Sequence, residues 1–432
     1  MRYKSLNQKS DKVSFQDAVT LGLAPDKGLY FPEEINPLDE NFLANIENLT
    51  DVEIALEVLK PFICPDIPEN KLKEILSETL NFEFPIVHLS DNCATQELFH
   101  GPTLAFKDVG ARFMARCIAY FNVGYNSKKN LVLVATSGDT GGAVANGFYK
   151  VPNVKVVILY PKGKVSEIQK KQLTTLKNNI TALEVDGVFD DCQDLVKTAF
   201  LDSDLKNLNL TSANSINIAR WLPQMIYYFL AFKQLKHLNK PLFISVPSGN
   251  FGNICAGIVA QKMGLPIQKF IAATNENDTV LQFLKSGEYI PKTSVATLSN
   301  AMDVGNPSNF IRVQELFEYD INKMKEKFSS YSYSDNETIH ALKEIYEKYN
   351  YIADPHGAVG YLGLQEELKK HPEAFGLFME TAHPVKFLET VENHLNISIP
   401  LPENIRQLQE MESYFFPVKT YSEVKKFLIN LE

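Results

Sequence analysis

Cysteine is scarce, five residues in 432, and Cys64, Cys93, Cys117, Cys192 and Cys255 are scattered without a close-spaced pair. That pattern builds neither a disulfide framework nor a tetrahedral zinc site, so reduced and mostly buried thiols are expected. No apolar run approaches the length that spans a bilayer, and Met1-Arg2-Tyr3-Lys4-Ser5 lacks the apolar core of a signal peptide. A cytoplasmic protein with no membrane partner is therefore expected. Net positive charge is missing too: at a formal −9 the chain has no field to attract a polyanion, which argues against nucleic acid as a partner. His88, His100, His356 and His383 lie too far apart in sequence to form a close ligand pair, and there is no Gly-x-Ser-x-Gly elbow. These histidines read as packing or polar support. Internal repeats and low-complexity tracts are absent as well.

What is present is an ordinary globular composition, 45% hydrophobic and 22% charged, on a chain too long for a single core. Residues 1–95 read as mostly helical, with helical spacing over Val13–Leu21, Asp51–Phe62 and Lys71–Leu80, and a candidate strand at Pro85–Leu89. Beyond them the pattern becomes apolar strand, glycine turn, helix. The strands are Leu131–Ala135, Val154–Tyr160, Thr181–Val185 and Leu208–Thr211, then Leu242–Val246 and Ile267–Ala273. Short apolar strands alternating with helices predict parallel βαβ units. The expected architecture is α/β, with two open, mostly parallel lobes behind the helical N-terminal region. Residues 96–213 form the smaller lobe and 214–432 the larger, the latter ending in a helical tail from Pro402. Ser329–Glu337 reads as a polar loop feeding the N-cap Ser334. Trp221, the single tryptophan, reads as core, and Lys162, Lys164, Lys170 and Lys171 as a solvated face.

Three segments carry chemistry. His100-Gly101-Pro102-Thr103-Leu104-Ala105-Phe106-Lys107-Asp108 sets one lysine in an apolar, motif-like setting; a lysine whose pKa is lowered there can hold an aldehyde as a Schiff base. Thr136-Ser137-Gly138-Asp139-Thr140-Gly141-Gly142-Ala143 follows a strand and opens a helix, where free N–H groups and hydroxyls seat an anion. Pro247-Ser248-Gly249-Asn250-Phe251-Gly252-Asn253 repeats that arrangement, and its spacing matches neither the dinucleotide fingerprint nor the Walker loop. A phosphate cup, a second anion seat and an embedded lysine together are what pyridoxal 5'-phosphate requires. Ser212 to Arg220 adds side-chain amides and one guanidinium, a group whose fork of donors suits a phosphate.

With these motifs the chain resembles the threonine synthases, fold-type II (tryptophan synthase β-like) pyridoxal-phosphate enzymes, in their longer bacterial and fungal branch. The likeness also takes in Gly22–Pro32, Ala301–Phe310, Ala353–Val359 and Glu380–Pro384. One departure is Lys27, where the family often has glycine. The resemblance implies that Lys107 is the catalytic lysine and holds the cofactor, with Phe106 beside it. Gly249, Asn250, Phe251, Gly252 and Asn253 would bind the cofactor phosphate, and Thr381 would face its ring nitrogen. Ser137, Gly138, Asp139, Thr140, Asn214 and Arg220 would bind a small-molecule substrate, O-phospho-L-homoserine, to be turned with water into L-threonine and phosphate. No metal is implied. A related phospho-lyase and a serine or threonine dehydratase are the alternatives. With no appended regulatory module in view, a monomer is expected.

Overall fold

The apolar runs become strands because helices cover them on both faces. In the computed structural model, which describes residues 1–122 and 130–431, the strands in chain order are β1 Tyr3–Ser5, β2 Tyr30–Pro32, β3 Ile86–Ser90, β4 Cys93–Glu97, β5 Asn130–Ala135, β6 Val154–Pro161 and β7 Ile180–Val185. β8 Leu210–Ser212, β9 Leu242–Pro247, β10 Ile267–Thr274, β11 Phe328–Ser332, β12 Phe375–Glu380 and β13 Phe416–Val418 follow. A six-stranded sheet runs β11-β10-β9-β12-β4-β3, and a five-stranded sheet runs β13-β7-β6-β5-β8. All pairs in the five-stranded sheet are parallel. The six-stranded sheet is parallel except at its β3–β4 hairpin. β1 and β2 form a small antiparallel ribbon of their own.

Several boundaries differ from the sequence reading. β3 and β4 belong to the larger sheet, so the N-terminal helical region hands over before residue 95. β13 pairs with β7, so the tail contributes a strand and its final helix, Tyr421–Ile429, to the smaller lobe. Its short Phe-Pro-Val segment with two exposed residues carries little strand pattern, and only the edge of a neighbouring sheet makes it one. The polar Ser329–Ser332 stretch lies in edge strand β11, where β10 supplies the pairing that composition does not. Ser334 does cap the helix Asp335–Tyr349 in a reciprocal capping box with Glu337.

Similar capping boxes, Thr50 with Glu53, Ser166 with Gln169 and Thr420 with Glu423, open the helices Asp51–Ile63, Glu167–Thr174 and Tyr421–Ile429. The helices Asp139–Phe148 and Gly252–Lys262 are not capped by the side chain of their N-cap residue. Apart from the Gly141 N–H, which the Thr136 hydroxyl accepts, their first-turn N–H groups are open to a ligand. Trp221 is fully buried in the main core, as expected. Lys27 sits at φ 67, the left-handed conformation a glycine adopts at little cost, which gives the departure at that position a backbone consequence.

Candidate active site

The helices Asp139–Phe148 and Gly252–Lys262 follow β5, which lies between β6 and β8, and β9, which lies between β10 and β12, and both open on one cleft. Open α/β sheets bind ligands at this end of their strands. Phe106, Lys107, Ser137, Asp139, Thr140, Asn214, Arg220, Gly249, Asn250, Phe251, Gly252, Asn253 and Thr381 all line the cleft. Gly138 alone of the anticipated residues does not. It acts as the turn: φ is 136, and a Cβ there would stand 2.4 Å from the Gln169 side chain.

Lys107 begins the helix Lys107–Asn122, its ammonium 5.5 Å from the centre of the Phe106 ring. Burial pushes its pKa down to about 8; Lys386 and Arg220 push the same way, while Asp139 and Asp354 oppose them. The loop before it is tied down by Asp108, whose carboxylate accepts from the Thr103 N–H (2.9 Å) and hydroxyl (2.5 Å). The Phe106 N–H donates to the Thr381 carbonyl at 2.9 Å, so the lysine segment and the end of β12 are held as one unit.

In the first loop, Thr136 Oγ1 accepts the N–H groups of Gly138 (2.9 Å) and Gly141 (2.8 Å), which shapes the turn. Asp139 is buried, and one of its oxygens accepts from Lys386 Nζ at 2.8 Å and Gln169 Nε2 at 2.9 Å. Burial alone would raise its pKa, but Lys386 and Lys107 overcome that and hold it well below the usual carboxylate range. In the second loop the left-handed residue is Phe251, φ 59, while a Cβ on Gly249 would lie 2.7 Å from Met302 Cα and 2.8 Å from the Ala301 carbonyl. A Cβ on Gly252 would meet nothing closer than 3.4 Å. The fold therefore requires glycine at 249, whereas a demand for glycine at 252 must come from a ligand.

Arg220 is 3% exposed and donates to the Ala213 carbonyl at 2.7 Å; its Nε has no partner among the described residues. Among the described residues no carboxylate pairs with it. Burial lowers its pKa to about 10, which still leaves a cation at neutral pH. Asn214 gives one N–H of its amide to the Ala135 carbonyl at 2.9 Å, and so ties this segment to the end of β5.

Sequence reasoning missed several residues here. Lys386 is buried and donates to both Asp139 and the Thr103 carbonyl (2.9 Å), joining the first loop to the lysine segment. The run Val385-Lys386-Phe387, a lone charge between apolar residues, was the available signal. His356, read from the sequence as packing or polar support, lines the cleft; its Nε2 accepts from the Ala301 N–H at 3.2 Å, and its Nδ1 lies 3.0 Å from Asp354. An accepting Nε2 places the proton of the neutral ring on Nδ1. Gln169 was also missed, since it is brought to the site from an unremarkable stretch, and Ser215, inside the singled-out Ser212–Arg220 segment, was given no role of its own.

The residues present fit pyridoxal phosphate: a poised amine, a cradle where a Cβ at 249 would collide with the backbone opposite, an uncapped helix start, and a buried guanidinium Nε without a partner. That fold and site define a fold-type II pyridoxal-phosphate enzyme. The family profile described as "Pyridoxal-phosphate dependent enzyme" matches residues 90–375, and those described as "Threonine synthase N terminus" and "Threonine synthase, C-terminal" match 2–80 and 357–428. Threonine synthase of Serratia marcescens is 44% identical, with all of both chains covered. The crystal structure of threonine synthase from Escherichia coli superposes with a TM-score of 0.94 at 43% identity, again over all of both chains. The pyridoxal-phosphate-bound threonine synthase from Brucella melitensis superposes at 0.92 with 34% identity, covering 99% of this chain and 98% of that one. The chain belongs to the threonine synthase family.

Proposed function

We propose that this chain converts O-phospho-L-homoserine and water to L-threonine and phosphate, with pyridoxal 5'-phosphate as cofactor and Lys107 as its proton carrier. The observation that carries the reading is Arg220, a buried guanidinium without a carboxylate, on the same cleft as the amine of Lys107. Lys107 would hold the cofactor's aldehyde carbon, residues Gly249 to Asn253 its phosphate, Thr381 its ring nitrogen, and Phe106 would stand beside it. Once bound, the cofactor draws electrons from the substrate's α and β carbons, chemistry that no side chain supplies. A threonine hydroxyl at the ring nitrogen supplies a hydrogen bond without the charge pairing an aspartate gives.

With a pKa of about 8, Lys107 Nζ is available as a base near neutral pH. It takes protons from the α and β carbons and returns protons at γ and α. The γ carbon–oxygen bond breaks and phosphate leaves, held by Arg220 and Asn214. The oxygen of water goes to the β carbon, and the retained phosphate is placed to take the water's proton. Ser137, Gly138, Asp139 and Thr140 surround the amino-acid end. The Asp139 carboxylate is already engaged by Lys386 and Gln169, so the loop offers the substrate its N–H groups and hydroxyls.

Product analysis tests the reading: O-phospho-L-homoserine should give threonine and phosphate in equal amounts. A keto acid and ammonia from any of O-phosphohomoserine, serine or threonine as the main reaction would favour the lyase or dehydratase alternative. Arg220→Leu removes charge-assisted bonds worth about 1.5–3 kcal/mol, so kcat/KM for O-phosphohomoserine should fall at least roughly tenfold. Turnover of unphosphorylated amino acids should fall much less, and the cofactor absorbance should persist. The same reading carries a cytoplasmic monomer that does not bind nucleic acid; the net charge of −9 supports the last point. No helix among the described residues is long and apolar enough to cross a membrane.

A further inference from the structure

Arg312 lies outside the cleft lining and is fully buried, yet among the described residues no carboxylate pairs with it. Its guanidinium donates to the carbonyls of Tyr30 and Ile216 (both 2.8 Å) and Ser215 (3.3 Å), and to Asn309 Oδ1 (2.6 Å). It stacks 4.5 Å from the Trp221 ring, and its Nε has no partner among the described residues. A buried charge without a counter-ion weakens a fold, so its persistence calls for a use.

The hydrogen bonds point to one. A guanidinium has only donors, so its bond to Asn309 fixes which way that amide faces, with Nδ2 turned to Ser215 Oγ at 3.2 Å. Asn250 of the phosphate cup sends its own Nδ2 to the same oxygen at 2.9 Å. Ser215 Oγ thus accepts twice, and its hydroxyl proton is left to donate elsewhere. Ser215 and Asn250 both line the cleft. The chain of donors runs from Arg312 through Asn309 and Ser215 to the cavity.

We infer that Arg312 is a positioning residue for phosphate recognition. It orients Asn309 and Ser215 so that the serine hydroxyl donates to a phosphate monoester in the cleft, and it sets a positive charge behind that contact which only an anion compensates. The inference rests on the reading that the cleft takes phosphate monoesters, of which cofactor and substrate each bring one.

Asn309→Asp tests it with little risk to the fold, because it gives Arg312 the carboxylate it lacks while removing the donor to Ser215. The ligand-free variant should be at least as heat-stable as the parent. It should also bind pyridoxal, which has no phosphate, as the parent does. Affinity for pyridoxal 5'-phosphate, or KM for O-phosphohomoserine at saturating cofactor, should worsen at least tenfold; the arm that moves names the phosphate. Arg312→Gln should share that loss, and Arg312→Lys, which keeps the charge, should recover most of it. Unchanged phosphate affinity in Asn309→Asp, equal losses for pyridoxal and pyridoxal phosphate, or equal losses in the Lys and Gln variants would overturn the inference. A parent protein that binds no pyridoxal phosphate would instead overturn the functional reading beneath it.

Discussion

The loops after β5 and β9 are built alike, strand to small-residue turn to uncapped helix, yet they differ in what holds them. The cup after β9 is neutral: Ser248, Gly249, Asn250, Phe251, Gly252 and Asn253 present backbone, hydroxyl and amide groups. It is braced by Met302 packed against Gly249 and by the Ser308 N–H donating to Asn250 Oδ1 at 2.6 Å. The loop after β5 carries an ionised Asp139, pinned by Lys386 from beyond the end of β12 and by Gln169 from the helix Glu167–Thr174. The neutral cup depends on shape, and its rigidity suits a ligand that stays. The charged loop depends on a buried ion pair with a residue from beyond the end of β12, so its geometry and the basicity of Lys107 answer to the same lysine.

The largest effect separates chemistry from both loops. Lys107→Ala should lower turnover by more than about a thousandfold and abolish the Schiff-base absorbance, while equilibrium dialysis still shows pyridoxal phosphate bound, since both anion seats stand. Next comes the shape of the cup. Gly249→Ala should weaken cofactor binding by at least tenfold and lower the melting temperature of the ligand-free protein, because its Cβ meets backbone at 2.7 Å. Gly252→Ala should leave that melting temperature unchanged. If the two variants melted alike, the cup would not be the braced element described.

A smaller effect probes the charged loop. Lys386→Gln removes a cation that helps depress Lys107 and also releases Asp139, which favours the protonated lysine; both changes raise the lysine's pKa above about 8. The reactive neutral amine should then appear only at higher pH. The pH midpoint for the rate at which ligand-free protein combines with pyridoxal phosphate should move upward, and an unmoved midpoint would remove Lys386 from that role. The smallest effect lies far from both loops. Lys27→Gly relieves a left-handed backbone and should stabilise the protein by about 1 kcal/mol in denaturant unfolding with kcat/KM unchanged.

Much of this was legible in the chain because strand-length apolar runs and glycine turns are local signals. Val154–Tyr160 and Leu242–Val246 reappear within a residue of their expected ends as β6 and β9. Both loops and Lys107 also follow from nearest neighbours in sequence. What could not be read is whatever depends on distant partners. Lys386 has its role only because Asp139 folds against it, and Arg312 because Tyr30, Ser215 and Asn309 converge on it. The same holds for β13, a strand only by virtue of β7, and for Phe251, whose left-handed backbone nothing in the local composition marks.

The pairing of β13 with β7 also bears on assembly order. Phe416 lies opposite Leu183, so β7 has no partner on that side until residue 418 has been synthesised. During translation the smaller lobe therefore waits with a bare sheet edge while β9 to β12 of the larger sheet are made, which is the kind of surface that neighbouring nascent chains or chaperones engage.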